Sequence, residues 1–203
     1  MDAISKLVEQ GYNRIAEDYY TNRNLNKFDN ELDEFASLLP DDAHILDVGC
    51  GAGIPTAKFL TERKFKVIGI DLSDTMLNLA RENVPNAHFI KMDMNELQFD
   101  KNTFNGIVSV YALFHVPKDN HFNIFQKFFE ILKPGGILMI NTGVSESEGT
   151  NRFFGVPMFW SNFDPKTTLE LVKKARFSVL SEAVLERGGE HQYWVFGKKP
   201  KFL

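Results

Sequence analysis

The segment ILDVGCGAGIPTAKFL, residues 45–60, constrains the fold more than any other. A short apolar run surrounds an acid, three glycines follow at alternate positions, and a helical pattern comes next, with Pro55 in its first turn. A strand, a glycine-rich turn and a helix bring backbone N–H groups to the carboxyl end of a sheet, where open α/β sheets bind ligands. The segment therefore predicts a ligand-binding turn, with a tight turn that binds nothing as the alternative.

Short apolar runs alternate with helical patterns along most of the chain. The runs that predict strands are HILDV, FKVIGI, AHFIKM, NGIVSVYAL and GILMINTG. Helical patterns lie between them, and two more precede them at residues 2–20 and 26–39. This order predicts an α/β fold of the Rossmann type, a doubly wound parallel sheet with helices on both faces. Near the end, SVLSEAVLE and HQYWVFGKK are joined by RGGE, which predicts an antiparallel hairpin at one sheet edge.

The chain shows no internal repeat, linker or low-complexity segment, so we expect its 203 residues to form one domain. Residues 1–40 are expected to form a helical cap and residues 41–142 a cofactor-binding core. Residues 143–203 are expected to form a lid segment, a helix and the terminal hairpin. In the lid segment, NRFFGVPMFWSNF mixes large aromatic side chains with turn residues and shows no clean period.

Composition argues against several kinds of partner. The formal net charge is -4, which gives no general attraction to nucleic acid or to an anionic membrane. No stretch reaches the ~18 apolar residues that a membrane span needs, and the N-terminus lacks the pattern of a signal peptide. The single cysteine fits a reducing compartment. We therefore expect a cytoplasmic protein without nucleic-acid or membrane partners and, because no His/Cys cluster has metal-ligand spacing, without a metal site.

Asp71 ends the next predicted strand, FKVIGID, about 20 residues after the glycines. A carboxylate in this position can accept hydrogen bonds from both hydroxyls of a ribose. A helix cap or a solvated charge is the alternative interpretation. Together with the glycine turn, Asp71 predicts a cofactor that carries a nucleoside.

The spacing of the glycines distinguishes between nucleoside cofactors. A dinucleotide fingerprint has the pattern G-x-G-x-x-G, but the sixth position from Gly49 is Ile54, so the pattern fails. The chain has G-x-G-x-G instead, preceded by Asp47, whose charge would repel a pyrophosphate but suits a ligand with an amino group. These residues favour S-adenosylmethionine over NAD, and a Rossmann dehydrogenase becomes the less favoured alternative.

Five segments in order resemble the motifs of the class I S-adenosylmethionine-dependent methyltransferases. They are ILDVGCGAG, VIGIDLSDTML, FIKMDMNELQF, FNGIVSVYALFHVPK and LKPGGILMI, and the resemblance spans residues 12–142. The resemblance is to the small-molecule branch that includes quinone-biosynthesis methyltransferases. It implies a seven-stranded sheet with an antiparallel last strand, S-adenosylmethionine as cofactor, S-adenosylhomocysteine as product and a small-molecule acceptor. The fourth segment lacks the [DNS]-P-P-[FY] motif, which argues against an exocyclic-amine nucleic-acid methyltransferase.

The resemblance also implies which residues hold the cofactor. The glycine turn and Asp47 would face its methionine part, and Asp71 would hold its ribose hydroxyls. Apolar side chains would pack on the adenine ring, and Asp93 would accept from the adenine amino group. The predicted cofactor-binding residues are Tyr12, Tyr19, Asp47, Gly49, Cys50, Gly51, Gly53, Asp71, Leu72, Met76, Asp93 and Met94.

Several of these residues have a structural alternative. The segment YNRIAEDYY resembles the N-terminal helix that closes over the cofactor in this branch, so the hydroxyls of Tyr12 and Tyr19 would bond the cofactor carboxylate or line the acceptor pocket. Their spacing fits packing on one apolar helix face equally well. Met76 could belong to the core and Asp93 to a solvated loop. A nucleophilic role for Cys50 is disfavoured, because cysteine is common at this position in the family without a chemical role.

His115 and Tyr111 are the predicted catalytic residues. Methyl transfer needs the acceptor aligned with the methyl carbon, and it needs a base only where the acceptor must lose a proton. His115, in ALFHV, is the candidate base, and a locally bonded histidine is the alternative. Tyr111 would lie near the methyl group or would be an ordinary core aromatic. The acceptor pocket is predicted to form between the N-terminal helices and the aromatic residues of the lid segment, which are Phe153, Phe154, Phe159 and Trp160. Alternatively, these aromatic residues only pack the lid segment against the sheet.

Two questions stay open at the level of sequence. The chain could be a monomer or a homodimer. A non-catalytic S-adenosylmethionine-binding sensor or assembly protein is the alternative function, because binding and transfer use the same residues.

Overall fold

The computed structural model describes residues 1–22, 28–187 and 189–201. The strands in these residues are β1 (His44–Val48), β2 (Lys66–Asp71), β3 (His88–Lys91), β4 (Phe104–Ser109), β5 (Leu132–Thr142), β6 (Ser147–Phe153), β7 (Val156–Asn162), β8 (Ser178–Arg187) and β9 (Glu190–Lys198). The α-helices are α1 (Ala3–Asn22), α2 (Asp29–Ser37), α3 (Thr56–Glu62), α4 (Asp74–Asn83), α5 (Lys118–Ile131) and α6 (Pro165–Lys174). Short 3₁₀ turns at Met94–Glu96 and Leu113–His115 follow β3 and β4.

Seven strands form the central sheet in the order β3-β2-β1-β4-β5-β9-β8. Strands β1 to β5 pair in parallel, whereas β9 is antiparallel to both β5 and β8. The order reverses next to β1, which places a crevice at the carboxyl ends of β1 and β4. This topology confirms the predicted Rossmann-type α/β fold and the antiparallel C-terminal strand. In the predicted RGGE turn of the terminal hairpin, Gly188 lies outside the described residues.

Apolar side chains cover both faces of the sheet. One face buries Phe35, Leu60 and Leu77, which come from α2, α3 and α4. The other face buries Phe125 and Val172, which come from α5 and α6. Because both faces are packed, the parallel strands need apolar residues at almost every position, which explains why they have continuous apolar runs rather than an alternating pattern.

Both predicted N-terminal helices form, and they pack in different places: α2 packs on one face of the sheet, whereas α1 packs against β7 and α4. The predicted helix 2–20 corresponds to α1, and the predicted helix 26–39 corresponds to α2, although residues 26 and 27 lie outside the described part of the chain. Gly11, which lowers helix propensity in the middle of α1, is buried there. A Cβ atom at Gly11 would come within 2.7 Å of the Met158 methyl group on β7. The glycine therefore permits the close approach of α1 to β7.

The aromatic lid segment forms a two-stranded antiparallel hairpin, β6–β7, separate from the main sheet. The sequence predicted no regular element here. The two-residue turn is Phe154–Gly155, with φ values of 47° and 80°, and two positive φ values are typical of the tightest hairpin turns. Since aromatic side chains occupy both faces of this hairpin, its sequence does not alternate between apolar and polar residues.

Candidate active site

The glycine turn after β1 is anchored to the neighbouring strand. The backbone N–H groups of Gly49 and Cys50 both donate to the Ile70 carbonyl of β2, over 2.8 and 3.0 Å. Gly49 has φ of 74°, and a Cβ atom there would lie 2.3 Å from that of Ala112. Only glycine fits this combination of left-handed backbone and close approach. The turn therefore presents bare backbone at the carboxyl end of the sheet.

Asp71, the last residue of β2, connects the glycine turn to the start of α4. One carboxylate oxygen accepts from the Gly51 N–H at 2.9 Å and the other from the Ser73 N–H at 2.9 Å. A carboxylate oxygen can accept hydrogen bonds from more than one donor. The side chain is half-buried and lines a cleft above the turn. This arrangement suits the two hydroxyls of a ribose.

The cleft lies above the carboxyl ends of β1, β2 and β4. Eleven of the predicted site residues line it: Tyr12, Tyr19, Gly49, Gly51, Asp71, Leu72, Met76, Asp93, Met94, Tyr111 and His115. On the β3 side the cleft has apolar walls and the carboxylate of Asp93, which is 7% exposed. Asp93 also caps the following 3₁₀ turn, because its side chain accepts a hydrogen bond from the Asn95 N–H. Flat apolar walls, a carboxylate on each side and bare backbone match the chemistry of adenosine, so the residues present fit S-adenosylmethionine.

Helix α1 closes the cleft through polar contacts that sequence patterns did not predict. The Asn13 side-chain oxygen accepts from the Ser73 hydroxyl at 2.7 Å and from the Thr75 N–H at 3.2 Å. Lys91 on β3 donates to Glu9 of α1 at 2.6 Å. Asn13 and Ser73 therefore both accept hydrogen bonds from backbone N–H groups at the N-terminus of α4, close to the Asp71 carboxylate. A polar residue within an amphipathic helix gives no local signal of such a contact.

His115 is held between α1 and the lid hairpin. Its Nδ1 lies 2.8 Å from the Phe159 carbonyl oxygen on β7, and its Nε2 lies 2.7 Å from the Tyr12 hydroxyl. Because a carbonyl only accepts, Nδ1 carries a proton, and in the neutral form of the imidazole Nε2 accepts from Tyr12. The imidazole is 8% exposed and packs against Trp160 at 4.6 Å between ring centroids. The ring is therefore fixed in one orientation, with Nε2 directed at the Tyr12 hydroxyl.

Tyr111 follows β4 in a left-handed conformation, with φ of 57°. Its N–H donates to the Asn141 side-chain oxygen at 2.6 Å, and its ring packs against Phe28 and Trp194. A tyrosine rarely adopts this backbone, which costs of order 1–3 kcal/mol and persists where the surroundings hold it. The conformation brings Tyr111 into the cleft lining while its ring still contacts the core.

Three predicted cofactor residues lie beneath the turn and do not line the cleft. Asp47 on β1 is 2% exposed. Cys50 has its sulfur directed toward β2, where a Cβ atom on Gly69 would meet it at 2.9 Å. Gly53 faces Val84 and Phe89 rather than the cleft. Burial, and then the negative charges of Asp71 and Asp47, raise the pKa of the Cys50 thiol well above its ordinary value, which opposes formation of a nucleophilic thiolate.

The four predicted pocket aromatics of the lid lie behind the cleft lining. Phe153 and Phe154 pack on the Tyr19 ring at 5.7 and 6.1 Å between centroids. Trp160 packs on His115, and Phe159 contributes its backbone carbonyl to the same imidazole. Phe154 is 44% exposed at the hairpin tip. The hairpin thus supports Tyr19 and His115 from outside.

Sequence reasoning missed several residues that line the cleft. They are Ser5, Val8, Ile70, Met92, Ala112 and Val116. Most are small or apolar, and their contribution is shape rather than a functional group. Ala112 could have been noticed, because the closely approached glycine turn requires a small neighbour in the loop after β4.

In residues 1–22, 28–187 and 189–201, no group of three or more His, Cys, Asp or Glu side chains is arranged to hold a metal ion. No helix in the same ranges combines the length and the apolar character needed to cross a membrane.

Comparisons with known proteins place this geometry in a family. The model of a family described as "Methyltransferase domain" matches residues 45–136, from the start of β1 to the middle of β5. This match, together with the methyltransferase relatives described below, supports the expected class I S-adenosylmethionine-dependent methyltransferase. The matched segment contains the glycine turn, Asp71 and Asp93, so the family match and the cleft coincide.

Individual methyltransferases show the same relationship. The chain is 31% identical over 145 residues to a demethylmenaquinone methyltransferase of Symbiobacterium thermophilum, a match that covers 66% of this chain and 55% of the relative. It is 35% identical over 104 residues to the ubiquinone/menaquinone biosynthesis C-methyltransferase UbiE of Vibrio cholerae, covering 47% of this chain and 39% of the relative. The chain spans between 27% and 66% of the length of the first curated relatives it matches.

A solved methyltransferase structure shares the fold. The 1,6-didemethyltoxoflavin-N1-methyltransferase of Burkholderia thailandensis, solved with 1,6-didemethyltoxoflavin and S-adenosylhomocysteine, superposes with a TM-score of 0.73 at 21% identity. The match covers 93% of this chain and 84% of that one. The similarity therefore extends beyond the family segment to α1 and to the terminal hairpin.

Proposed function

We propose that this methyltransferase transfers the methyl group of S-adenosylmethionine to a small-molecule acceptor, releasing S-adenosylhomocysteine. One observation carries the proposal: a single cleft joins the glycine turn and Asp71 to His115 and Tyr111. The first pair suits a nucleoside cofactor, and the second supplies a base and an aromatic wall. A candidate base in the same cleft as the cofactor-binding residues favours methyl transfer over cofactor binding alone.

Different residues of the chain would bind different parts of the cofactor. Asp71 would hold the ribose hydroxyls, Leu72 and Met76 the adenine ring, and Asp93 its amino group. The glycine turn would lie along the methionine part, with the charge of Asp47 beneath it. When bound, the cofactor supplies an electrophilic methyl group on a positively charged sulfur. Residues 1–40 and 143–203 would act as cap and lid of one catalytic domain, and the lid aromatics would exclude water from its core at 41–142.

The cleft lining also favours a class of acceptor. Among the described lining residues, two carry a carboxylate, Asp71 and Asp93, and none is lysine or arginine. An anionic acceptor would find no counter-charge there, whereas an uncharged aromatic molecule would find apolar and aromatic walls. The relatives named as demethylmenaquinone and ubiquinone/menaquinone methyltransferases support a cyclic acceptor of this kind.

Formation of S-adenosylhomocysteine tests this function. The purified protein is incubated with S-adenosylmethionine and neutral hydroxylated aromatics or heteroaromatics, alongside matched carboxylated compounds. We expect product above the acceptor-free rate with a neutral compound and none with its carboxylated partner. Tight cofactor binding without product from any compound would contradict the proposal and favour the non-catalytic alternative.

A further inference from the structure

We propose that Tyr12, His115 and the Phe159 carbonyl form a proton relay in which the Tyr12 hydroxyl takes the acceptor's proton. The proposal rests on the proposed function and specifies its chemistry, because a relay is needed only for an acceptor that must lose a proton on methylation. The three groups come from different parts of the chain, namely α1, the turn after β4, and the lid hairpin.

The hydrogen bonds give the relay a direction. The Nδ1–H of His115 donates to the Phe159 carbonyl at 2.8 Å, so Nε2 is the ring nitrogen that can accept a proton. The Tyr12 hydroxyl lies 2.7 Å from Nε2 and donates to it. A phenolic hydroxyl can both donate a hydrogen bond and accept one from another donor. Tyr12 and His115 both line the cleft, so that second donor can be the acceptor's own O–H or N–H.

The surroundings favour proton transfer along this path. The His115 ring is nearly enclosed by Tyr12, Phe114 and Trp160, at 5.2, 4.8 and 4.6 Å between centroids. Enclosure restricts direct access of an acceptor to Nε2, which the Tyr12 hydroxyl already covers. Tyr12 is therefore the group that an acceptor can reach, and His115 is the group that stores the proton.

The step balances in atoms and charge. The acceptor atom forms a bond to the methyl carbon as the carbon–sulfur bond breaks, and the bonding electrons stay on sulfur. The acceptor proton passes to the Tyr12 oxygen while the Tyr12 proton passes to Nε2 of His115. Tyr12 ends neutral, and the second imidazolium proton stays on Nδ1, hydrogen-bonded to the Phe159 carbonyl. The imidazolium then releases one proton to solvent when the products leave.

Nitrogen NMR of ¹⁵N-histidine protein loaded with S-adenosylhomocysteine tests the relay without an acceptor of known identity. We expect His115 as the Nδ1-protonated tautomer, with the Nε2 resonance moved by the Tyr12 hydrogen bond. Tyr12→Phe keeps the ring and removes the hydroxyl, and it should return Nε2 toward the value of an unbonded lone pair. Tyr20→Phe, which removes a hydroxyl bonded to Asn83 outside the cleft, should leave that resonance unchanged.

Phenol and anisole then serve as matched probes on the same loaded protein. Phenol can donate a proton to Tyr12, so it should shift the Nε2 resonance in the wild type and not in Tyr12→Phe. Anisole, which has the same ring but no proton to donate, should give no such shift.

Three results would overturn the relay: an Nε2-protonated tautomer, equal effects of phenol and anisole, or no effect of phenol. Loss of S-adenosylhomocysteine affinity in Tyr12→Phe with an unmoved Nε2 resonance would also overturn it and assign the hydroxyl to cofactor binding. Failure of the wild type to bind S-adenosylhomocysteine would instead overturn the proposed function, so the two failures are distinguishable.

Discussion

At the residue scale, the site depends on positions where one particular side chain, or none, can be accommodated. Gly49 and Ala112 approach so closely that a single methyl group at Gly49 would overlap with that of Ala112. The G-x-G-x-G pattern predicted this turn. The pattern did not identify Ala112, because the contact joins two loops that lie 63 residues apart in the sequence.

Substituting Gly49 tests that close approach. Gly49→Ala combines a left-handed backbone with overlap against Ala112, and we expect a loss of at least ~2 kcal/mol in the free energy of unfolding. Gly149→Ala is the matched control, because a Cβ atom on this β6 glycine would meet nothing within 4 Å. Urea denaturation measures both variants. Equal stability of the two would show that the turn is not constrained as described.

Cys50 provides a second test at this scale. Burial and the neighbouring carboxylates of Asp71 and Asp47 raise its pKa, so the thiolate should be scarce in the native protein at pH 8. We expect labelling by iodoacetamide to be at least about 100-fold slower than for a free thiol, and fast after unfolding in guanidinium. Rapid labelling of the native protein would contradict the buried position and reopen a nucleophilic role.

At the scale of elements, the catalytic core was easier to predict than the parts that cover it. The alternation of strands and helices from β1 to β5 is determined by local apolar runs, so the sheet and its glycine turn followed from the sequence. The hairpin β6–β7 did not, because aromatic residues on both of its faces remove the period of two that identifies strands. Asn13 and the Phe159 carbonyl were also missed, since a long-range contact or a backbone atom leaves no mark in sequence patterns.

The packing of α1 on the lid hairpin can be tested at Gly11. Gly11→Val inserts a branched side chain against the fully buried Met158, and overpacking of this kind costs about 1–3 kcal/mol. Glu17→Val introduces the same residue on the exposed side of α1 and should cost less than about 1 kcal/mol. Hydrogen exchange should rise across residues 3–22 in the first variant only. Unchanged exchange in Gly11→Val would show that α1 does not depend on this contact.

At the scale of the whole molecule, stability should depend on pH through His121. This histidine of α5 is 1% exposed, and its Nε2–H donates to the carbonyls of Leu113 and Val116. Burial lowers its pKa below the ordinary value of 6.5. Between the lowered pKa and the ordinary pKa, the unfolded chain binds a proton that the folded chain does not. The stabilising contribution of neutral His121 is therefore fully present above the ordinary pKa and is lost as the pH falls below it.

Comparison with His121→Gln isolates this effect. Glutamine keeps an N–H donor but does not titrate, so its free energy of unfolding should change less between pH 7.5 and 5.5 than that of the wild type. Carboxylates that do not interact with His121 contribute equally to both proteins and cancel in the difference, whereas the attraction between His121 and Glu148 belongs to the measured effect. Parallel pH profiles of the two proteins from urea titrations would contradict a buried neutral His121.

The measurement that tests the cofactor assignment most directly is calorimetric titration with S-adenosylmethionine, S-adenosylhomocysteine and NADH. The wild type should bind both adenosyl ligands at micromolar concentration and should not bind NADH. Asp71→Asn should weaken the adenosyl ligands by about 100-fold, because hydrogen bonds to a charged acceptor contribute roughly 1.5–3 kcal/mol. Asp74→Asn removes a nearby exposed carboxylate outside the cleft and should bind as the wild type does. A folded protein that binds neither adenosyl ligand, or that binds NADH instead, would contradict the assignment of this cleft to S-adenosylmethionine.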